Sequence, residues 1–503
     1  MNVNFLPGEV WWCGKVYDGT RMPVTASDDY ELDLTRITPN QGMPLLLSNA
    51  GRWVWSDEPF AVSFHQGEIT LPDAGVELAR AEDATLRGAY RAAMGAHFPF
   101  VPTPVRPECI SAPVYNTWIA MGYEPTQAKV LAYARSILAH GMEPGILMID
   151  DNWFDRYGSW QFDGARFPEP RCMTEELHAL GFRVMLWVCP YVSPVGQPYL
   201  TLRDQGLLIR DESGEPRIFP WWNGYSAQLD WSNPAAAAYF QGKLDGLVTA
   251  YGVDGFKFDA GQPEPARPTL KRHRPLAPNE DCRLYGQFGL MVPLAEYREG
   301  WKLGGQPLMM RLQDKAHAWD GEGLGALIPH GLVQSLTGYA YHCPDMVGGG
   351  EMGSMARIGR LDTELFVRCL QCSALFPILQ FSLLPFDQLS EDEWAACREA
   401  LSLRRRLTPY LLQCAERAAR EGEPILQPLD YAYPGQGFDT VTDAYAIGER
   451  YVCYPVLRKG AEEIALCLPA GDWRGPDGAL HRGEIRLRCD LHTLPLFERV
   501  DAE

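Results

Sequence analysis

The chain has 503 residues, of which 46% are hydrophobic and 22% are charged, and this length predicts two to four separately packed domains. Its formal net charge of -19 would repel a phosphate backbone, so nucleic acid is excluded as an expected partner.

Short segments that alternate apolar and polar residues occupy the first part of the chain, for example residues 52–55 and 61–64. Such alternation is typical of strands with one buried face. We therefore expect an N-terminal β-sandwich domain in residues 1–105, which ends in a proline-rich join between Pro99 and Pro113.

Seven apolar segments in residues 106–420 have the length of buried strands. They are residues 114–118, 145–149, 183–188, 255–258, 308–312, 339–342 and 378–381. A short eighth strand is predicted near residues 228–229 or near residues 316–319. Helices are predicted between strands, as at residues 234–251, where Asn233 can cap the helix and Pro234 suits its first turn. Eight strands that alternate with helices predict an α/β fold, the (β/α)8 TIM barrel.

The last part of the chain returns to a β pattern after a predicted helix over residues 391–420. Strand-like segments at residues 445–456, 463–469 and 471–475 are separated by glycine and proline. We therefore predict a C-terminal β-sandwich domain in residues 421–503, with the catalytic barrel in residues 106–420.

Acidic residues follow several of the predicted barrel strands. Reactive groups in a TIM barrel lie at the C-terminal ends of the strands, so these positions are themselves informative. The acidic residues at such positions are Asp150, Asp151, Asp259, Asp320, Glu322 and Asp345. A helix cap or an ion pair would explain any one of them about as well as catalysis does, but their recurrence favours an active site.

Paired carboxylates over a barrel mouth suit the cleavage of a glycosidic bond, which needs one ionised carboxylate and one proton donor. Asp259 fits the ionised role because neighbouring Lys257 favours the charged form. Glu322, or else Asp320, fits the donor role beside the apolar ring of Trp319. No nucleotide-binding loop or metal-ligand motif accompanies these residues, so we expect no cofactor and no metal.

The same segments resemble glycoside hydrolase family 31, in the branch of the myogenesis-regulating glycosidase and bacterial α-galactosidase-like relatives. The resembling segments are residues 51–60, 149–151, 182–188, 221–224, 229–230, 256–261, 311–314, 327–329 and 344–349. The resemblance implies a retaining, exo-acting α-glycosidase with Asp259 as nucleophile. The branch is associated with α-galactosides, whereas the wider family also includes α-glucosidases, α-xylosidases, sulfoquinovosidases and lyases.

The resemblance also implies a set of sugar-binding residues around the nucleophile. They are Trp55, Asp150, Asp151, Trp153, Trp187, Trp222, Asn223, Lys257, Arg311, Trp319 and Asp345. For Arg311 a salt bridge within the barrel is an equally simple interpretation. The chain departs from the family pattern in the loop after Trp319. Family members usually have an Asp acid/base three residues after this tryptophan, whereas this chain has Glu322 there and one residue fewer in the loop. It also has Cys189 where relatives tend to carry His. Gln262 replaces the usual Glu.

We therefore expect an α-galactosidase that acts on small oligosaccharides or glycosides. An α-glucosidase or another α-hexosidase of the family is the alternative, and a catalytically impaired sugar-binding protein is the alternative from another class. The expected partner is a small carbohydrate, and self-association into a homo-oligomer stays open.

The sequence also bears on the compartment of the protein. The first residues carry no export signal, and no apolar run reaches the length of a membrane span, so we expect a cytoplasmic protein without a membrane partner. The thirteen cysteines are expected to be reduced thiols. Cys369 and Cys372 form a C-x-x-C without a second ligand pair, which favours core cysteines over a zinc site.

Overall fold

A computed structural model describes residues 1–261 and 269–500, so Gln262 lies outside the described residues. The chain divides into two compact units. One contains residues 112–301, and the other contains residues 1–111 together with residues 302–503.

One parallel sheet of eight strands forms the (β/α)8 barrel that the sequence predicts. Its strands are β1 (Val114–Asn116), β2 (Ile146–Ile149), β3 (Arg183–Val188), β4 (Gly255–Phe258), β5 (Leu294–Tyr297), β6 (Met309–Arg311), β7 (His342–Cys343) and β8 (Gln380–Phe381). The sheet order is β7-β6-β5-β4-β3-β2-β1-β8, so β1 to β7 are neighbours in chain order and β8 pairs with β1, as in a TIM barrel. Strands β1–β5 belong to the unit of residues 112–301.

The register of the parallel strands aligns side chains from neighbouring strands. Trp187 of β3 pairs with Lys257 of β4, and Lys257 pairs in turn with Glu296 of β5. Because laterally paired residues point to the same face of a sheet, these three form one row across the barrel. All three are buried, which predicts that the polar members are held by partners.

The prediction of the eighth strand was wrong. Strand β5 was missed, although its residues Leu294–Tyr297 lie in the middle of the sheet. Gln228 belongs instead to a small antiparallel sheet, and residues 316–319 form a loop before the helix Leu324–Leu336. A buried glutamate, Glu296, interrupts the apolar pattern of β5 and explains why the pattern did not reveal it.

Antiparallel sheets flank the barrel in sequence. The first part of the chain contains one sheet of Asn2–Asn4, Glu68–Thr70, Ala61–His65 and Tyr30–Asp33, and another of Val24–Thr25, Val10–Lys15, Gln41–Ser48, Arg52–Ser56 and Val76–Arg80. The last part contains a six-stranded sheet of Leu426–Pro428, Tyr445–Ile447, Tyr451–Cys453, Leu496–Val500, Asp472–Arg474 and Leu480–His481, and a pair of Glu463–Cys467 and Glu484–Arg488. Trp473 and Phe497 are fully buried in the core of the last part.

The helices begin where the sequence provides caps. The Asn233 side chain accepts a hydrogen bond from the backbone N–H of Ala235 at the start of Pro234–Tyr251, as predicted. Ser390 and Glu393 form a capping box at the start of Glu391–Glu421. The other α-helices are Leu86–His97, Glu108–Ser111, Trp118–Met121, Gln127–Ala139, Pro170–Ala179, Gln197–Asp204, Glu280–Gly286, Leu324–Leu336, Met352–Arg357, Thr363–Ser373, Pro385–Gln388 and Leu429–Ala432.

A three-stranded antiparallel sheet of Tyr191–Val192, Gly224–Gln228 and Phe219–Trp221 follows β3. All thirteen cysteines are free thiols, and Cys369 and Cys372 are buried on one helix. Across residues 1–261 and 269–500, no helix combines the length and the apolar character that crossing a membrane requires.

Candidate active site

Asp259 follows β4 directly, and hydrogen-bond donors surround its carboxylate. Oδ1 accepts hydrogen bonds from Arg298 Nε at 2.7 Å and from the backbone N–H of Ala260 at 2.8 Å. Oδ2 accepts one from Trp187 Nε1 at 3.0 Å, and Lys257 Nζ lies 3.8 Å from it. Two cations and two further donors stabilise the ionised form, as a nucleophilic carboxylate requires.

The turn after Asp259 is conformationally constrained. Ala260 has φ +55°, a value that costs free energy in a residue other than glycine. Gly261 follows with φ +72°, and a Cβ at this position would lie 2.6 Å from the Tyr285 ring. The Tyr285 hydroxyl donates to the backbone oxygen of Asp259 at 3.3 Å. This packing fixes the backbone that carries the carboxylate.

Trp187 and Trp153 belong to one aromatic cluster, joined through Phe154, that contacts Asp259. Trp153 is fully buried, and its Nε1 donates to the backbone oxygen of Trp187 at 2.7 Å. Trp187 in turn donates to Asp259, and only 1% of it is exposed. Both were predicted to bind sugar. In the structure Trp153 contacts the backbone of Trp187, and Trp187 contacts Asp259 directly.

The neighbouring aspartates at the end of β2 have different partners. Asp150 Oδ2 lies 2.6 Å from Lys257 Nζ, and its Oδ1 accepts the backbone N–H of Asp151. Both carboxylate oxygens of Asp151 accept from the Tyr157 hydroxyl, Oδ2 at 2.8 Å and Oδ1 at 3.0 Å. Burial, opposed by the Tyr157 hydrogen bond and assisted by the charges of Asp150 and Asp259, raises the pKa of Asp151 to about 7. Asp151 can therefore change its charge near neutral pH.

A short hairpin brings Trp222 and Asn223 to this cluster. Asn223 Nδ2 donates to the Tyr157 hydroxyl, so the hairpin is linked to Asp151 through that tyrosine. The Arg298 guanidinium lies 5.4 Å from the centre of the Trp222 ring, within the range of a cation–π contact. Trp222 is 46% exposed, so this ring offers an apolar face that a sugar can contact.

Cys189 lies at the end of β3 and is buried. Burial raises the pKa of its thiol well above the usual value, and the nearby charges of Asp151 and Asp259 act in the same direction. Cys189 is therefore a neutral, compact side chain beside the two carboxylates, where a histidine could carry a positive charge.

In the other unit, Arg311 ends β6 and forms a buried ion pair with Asp345 at 2.7 Å. Asp345 Oδ2 also accepts the backbone N–H groups of Lys315 and Gly350. Burial raises the pKa of Asp345 to about 6, although Arg311 lowers it. Asp345 has φ +108°, and this strain is compatible with a side chain that is held by three hydrogen bonds. Arg311 thus has the salt bridge that the sequence analysis gave as the alternative to sugar binding.

Lys315 and His330 form a buried contact next to this pair, with Nζ and Nδ1 2.8 Å apart. Burial lowers the pKa of Lys315 to about 8, while Asp345 and Glu322 raise it. Burial, and after it the Lys315 charge, keep the pKa of His330 well below its usual value. The neutral imidazole can therefore accept a hydrogen bond from the ammonium group.

The loop after Lys315 carries the two candidate proton donors. Asp320 and Glu322 are both exposed, and Asp320 Oδ1 accepts the backbone N–H of Glu322 at 3.0 Å. Trp319 Nε1 donates to Asp362 at 3.0 Å. The Trp319 ring therefore does not bury either carboxyl group, in contrast to the desolvation expected from the sequence. The backbone oxygen of Glu322 accepts the N–H of Ala316, which closes the loop on itself.

Trp55 is placed in the core of its unit. It is 3% exposed and stacks on His97 with the ring centres 4.6 Å apart. The Lys302 ammonium lies 5.5 Å from the same ring. These contacts give the ring a packing role within residues 1–111 and 302–503.

The sequence reasoning missed two residues that contact predicted site residues. Arg298 follows the unpredicted strand β5, and Tyr157 lies in the loop after β2. Every second residue in this segment belongs to one face of the strand, namely Leu294, Glu296 and Arg298. This period of two was the available signal for the strand and for the arginine that follows it.

Comparison with known proteins identifies the family. The family model of the glycosyl hydrolases family 31 TIM-barrel domain matches residues 114–414. The myogenesis-regulating glycosidase of Mus musculus is 35% identical over 384 residues, which are 74% of this chain and 53% of that protein. Neutral alpha-glucosidase C of Homo sapiens is 24% identical over 402 residues, 71% of this chain and 43% of that protein.

The chain thus spans about half the length of the curated relatives that it matches. A GH31 dextranase of Flavobacterium johnsoniae, solved with glucose, has the same fold, with a TM-score of 0.85 at 18% identity, over 99% of this chain and 66% of that one. Because the family model covers more than half of the 503 residues, the chain belongs to glycosyl hydrolases family 31.

Proposed function

We propose that the chain is a retaining, exo-acting α-glycosidase and that its preferred substrate carries a terminal α-galactose. The observation that carries the proposal is the Asp259 carboxylate, which accepts hydrogen bonds from Trp187, Arg298 and Ala260 and lies 3.8 Å from Lys257. The galactose preference rests on the resemblance to the branch described above.

The proposed reaction has two displacement steps. In the first, an Asp259 oxygen bonds to the anomeric carbon while the bond from that carbon to the leaving oxygen breaks. Glu322, or Asp320 in second place, gives its proton to the leaving oxygen. In the second step the acid/base residue, now ionised, takes a proton from water, and the water oxygen bonds to the anomeric carbon. The bond between Asp259 and that carbon breaks, and Asp259 regains its original charge.

Substitution of the nucleophile tests this mechanism. Asp259→Ala should reduce the hydrolysis of 4-nitrophenyl α-galactoside by about 10⁴-fold or more, because no covalent intermediate can form. Added azide should restore turnover and yield the β-galactosyl azide, since azide attacks from the side that the carboxylate occupied. Asp155→Ala, at an exposed aspartate paired with its neighbour Arg156, is the matched control. Full activity of the Asp259→Ala variant would refute the assignment.

A panel of aryl glycosides tests the sugar preference. We expect the α-galactoside to give the highest kcat/KM, and a higher value for the α-glucoside would replace the assignment with that of an α-glucosidase. The 24% identity to neutral alpha-glucosidase C supports this alternative.

A second candidate, a sugar-binding protein with impaired catalysis, is favoured by one observation. Both candidate proton donors, Asp320 and Glu322, are exposed on their loop. If Glu322 is the acid/base, Glu322→Gln should slow the hydrolysis of an alkyl α-galactoside about 10²- to 10⁴-fold and leave α-galactosyl fluoride nearly unaffected, because fluoride needs little protonation. Asp320→Asn is the matched comparison. Binding of galactose without turnover of the fluoride by the unsubstituted protein would establish the impaired candidate.

A further inference from the structure

A polar cleft of about 800 Å³ lies between the helix Glu391–Glu421 and the C-terminal strands. Its volume falls in the range of small-molecule sites. Its apolar lining consists of Leu403, Leu407, Leu487, Leu494 and Leu496, with Tyr451 beside them. None of these residues belongs to the candidate active site, so glycoside cleavage does not explain the cleft.

The acidic side chains of the cleft already have partners within the protein. They are Glu399 with His492 at 3.2 Å, Asp477 with His481 at 3.0 Å, Asp490 with Thr493 at 2.7 Å, and Glu498 with Arg450 at 2.7 Å. These contacts occupy acceptor oxygens that could otherwise bind a cationic ligand. The acidic residues are therefore engaged in holding the walls of the cleft.

The arginines of the cleft have no such partners. Among the residues that the structure describes, Arg406, Arg474 and Arg488 form no ion pair with an acidic side chain. Arg406 donates only to the Ser402 hydroxyl at 3.1 Å, and Arg474 donates only to the backbone oxygen of Gly478 at 3.4 Å. Three exposed guanidinium groups, from one helix and two strands, thus line one cleft in a chain with a net charge of -19.

We propose that this cleft is a second binding site, which takes a small phosphorylated ligand. A phosphate offers three oxygens in a tetrahedral arrangement, and guanidinium groups from three elements can each donate to a different oxygen. A planar carboxylate has only two oxygens to offer. The leucines and the Tyr451 ring provide an apolar surface for the rest of the ligand, as they would for one face of a sugar ring.

Isothermal titration calorimetry of the full chain tests the proposal, with inorganic phosphate, glucose 6-phosphate and glucose as probes at constant ionic strength. Glucose 6-phosphate should bind saturably at millimolar concentration or below. Tighter binding of the sugar phosphate than of inorganic phosphate identifies the ring contact, and equal binding identifies phosphate alone as the ligand. Absence of saturable binding for both phosphates would overturn the proposal.

Substitutions locate the binding. The double variant Arg474→Gln/Arg488→Gln should weaken the binding of both phosphates about tenfold or more, because it removes two charge-assisted contacts. Arg458→Gln, at an exposed arginine of the same domain outside the cleft, should leave it unchanged. Asp259→Ala should also leave it unchanged, and if Asp259→Ala abolishes it while the arginine variants do not, the phosphate occupies the active site and the proposal is wrong.

Discussion

Arg298 and Trp187 illustrate how single residues define the proposed nucleophile. Each donates to a different oxygen of Asp259, at 2.7 Å and 3.0 Å. Arg298 also contacts the exposed Trp222 ring, so one guanidinium group links the nucleophile with the hairpin that offers an apolar surface. Arg298 therefore combines an electrostatic role at Asp259 with a packing role at the hairpin.

We predict that Arg298→Gln moves the acidic limb of the pH profile of kcat/KM to higher pH by about one unit or more. A cation at 2.7 Å favours the ionised carboxylate, and its loss makes protonation easier. Arg298→Lys should restore part of the shift, because it keeps the charge and loses the planar donor group. Rates of aryl α-glycoside hydrolysis across pH measure the limb.

Arg283→Gln is the control for this prediction, because Arg283 belongs to the same unit and pairs with Glu280. A uniform fall in rate for Arg298→Gln, with the limb at its original pH, would contradict the electrostatic role and indicate only a loss of packing.

The sequence could predict spatial contacts only between residues that are close together in the chain. Lys257 and Asp259 are two positions apart at the end of β4, and their charged groups lie 3.8 Å apart. Tyr157 and Asn223 are 66 positions apart and meet only because two loops converge. No local pattern encodes such a meeting, so the sequence could name Asn223 but not the tyrosine that it contacts.

Elements with local signals were predicted closely, whereas one that depends on tertiary burial was not. The helix Pro234–Tyr251 follows from a cap, a first-turn proline and the glycine at position 252, which has φ +73°. Strand β5 has neither a cap nor a long apolar run, because Glu296 is fully buried within it and breaks the run, so only a short alternation marked it. A buried carboxylate is tolerated only inside a packed polar environment, which the chain forms after folding.

The loop of residues 316–323 is a second element that the sequence described incompletely. The sequence analysis named its acidic residues and offered residues 316–319 as one of two places for a short strand. The structure has a closed loop there, held by the hydrogen bond from Ala316 to the backbone oxygen of Glu322. In an extended strand Ala316 and Glu322 would lie too far apart for this hydrogen bond, so the predicted strand and the observed loop are incompatible.

At the scale of the whole molecule, buried carboxyl groups link folding to pH. Burial is the first cause that raises the pKa of Asp151 to about 7, of Asp345 to about 6 and of Asp430 to about 7. In an unfolded chain an aspartate has a pKa of about 3.9. Between these values the folded protein binds more protons than the unfolded chain, so the free energy of unfolding falls as pH rises. The contribution is fully present below about pH 4 and is lost above about pH 7.

Asp430 tests this linkage outside the candidate active site. Its pKa is raised by burial and then by the charge of Asp439, and its Oδ2 is buried without a hydrogen-bond partner among the described residues. The Asp430→Asn variant has no charge to desolvate at this position. Between pH 5 and pH 7 its free energy of unfolding should therefore fall less steeply than that of the unsubstituted protein, with slopes that differ by up to about 1.4 kcal/mol per pH unit. Above pH 7 the variant should therefore be more stable than the unsubstituted protein.

Urea unfolding at several pH values measures the two slopes, with Asp443→Asn, an exposed aspartate of the same domain, as control. Parallel slopes for the protein and its Asp430→Asn variant would mean that Asp430 stays ionised when folded, and burial would then not control its charge.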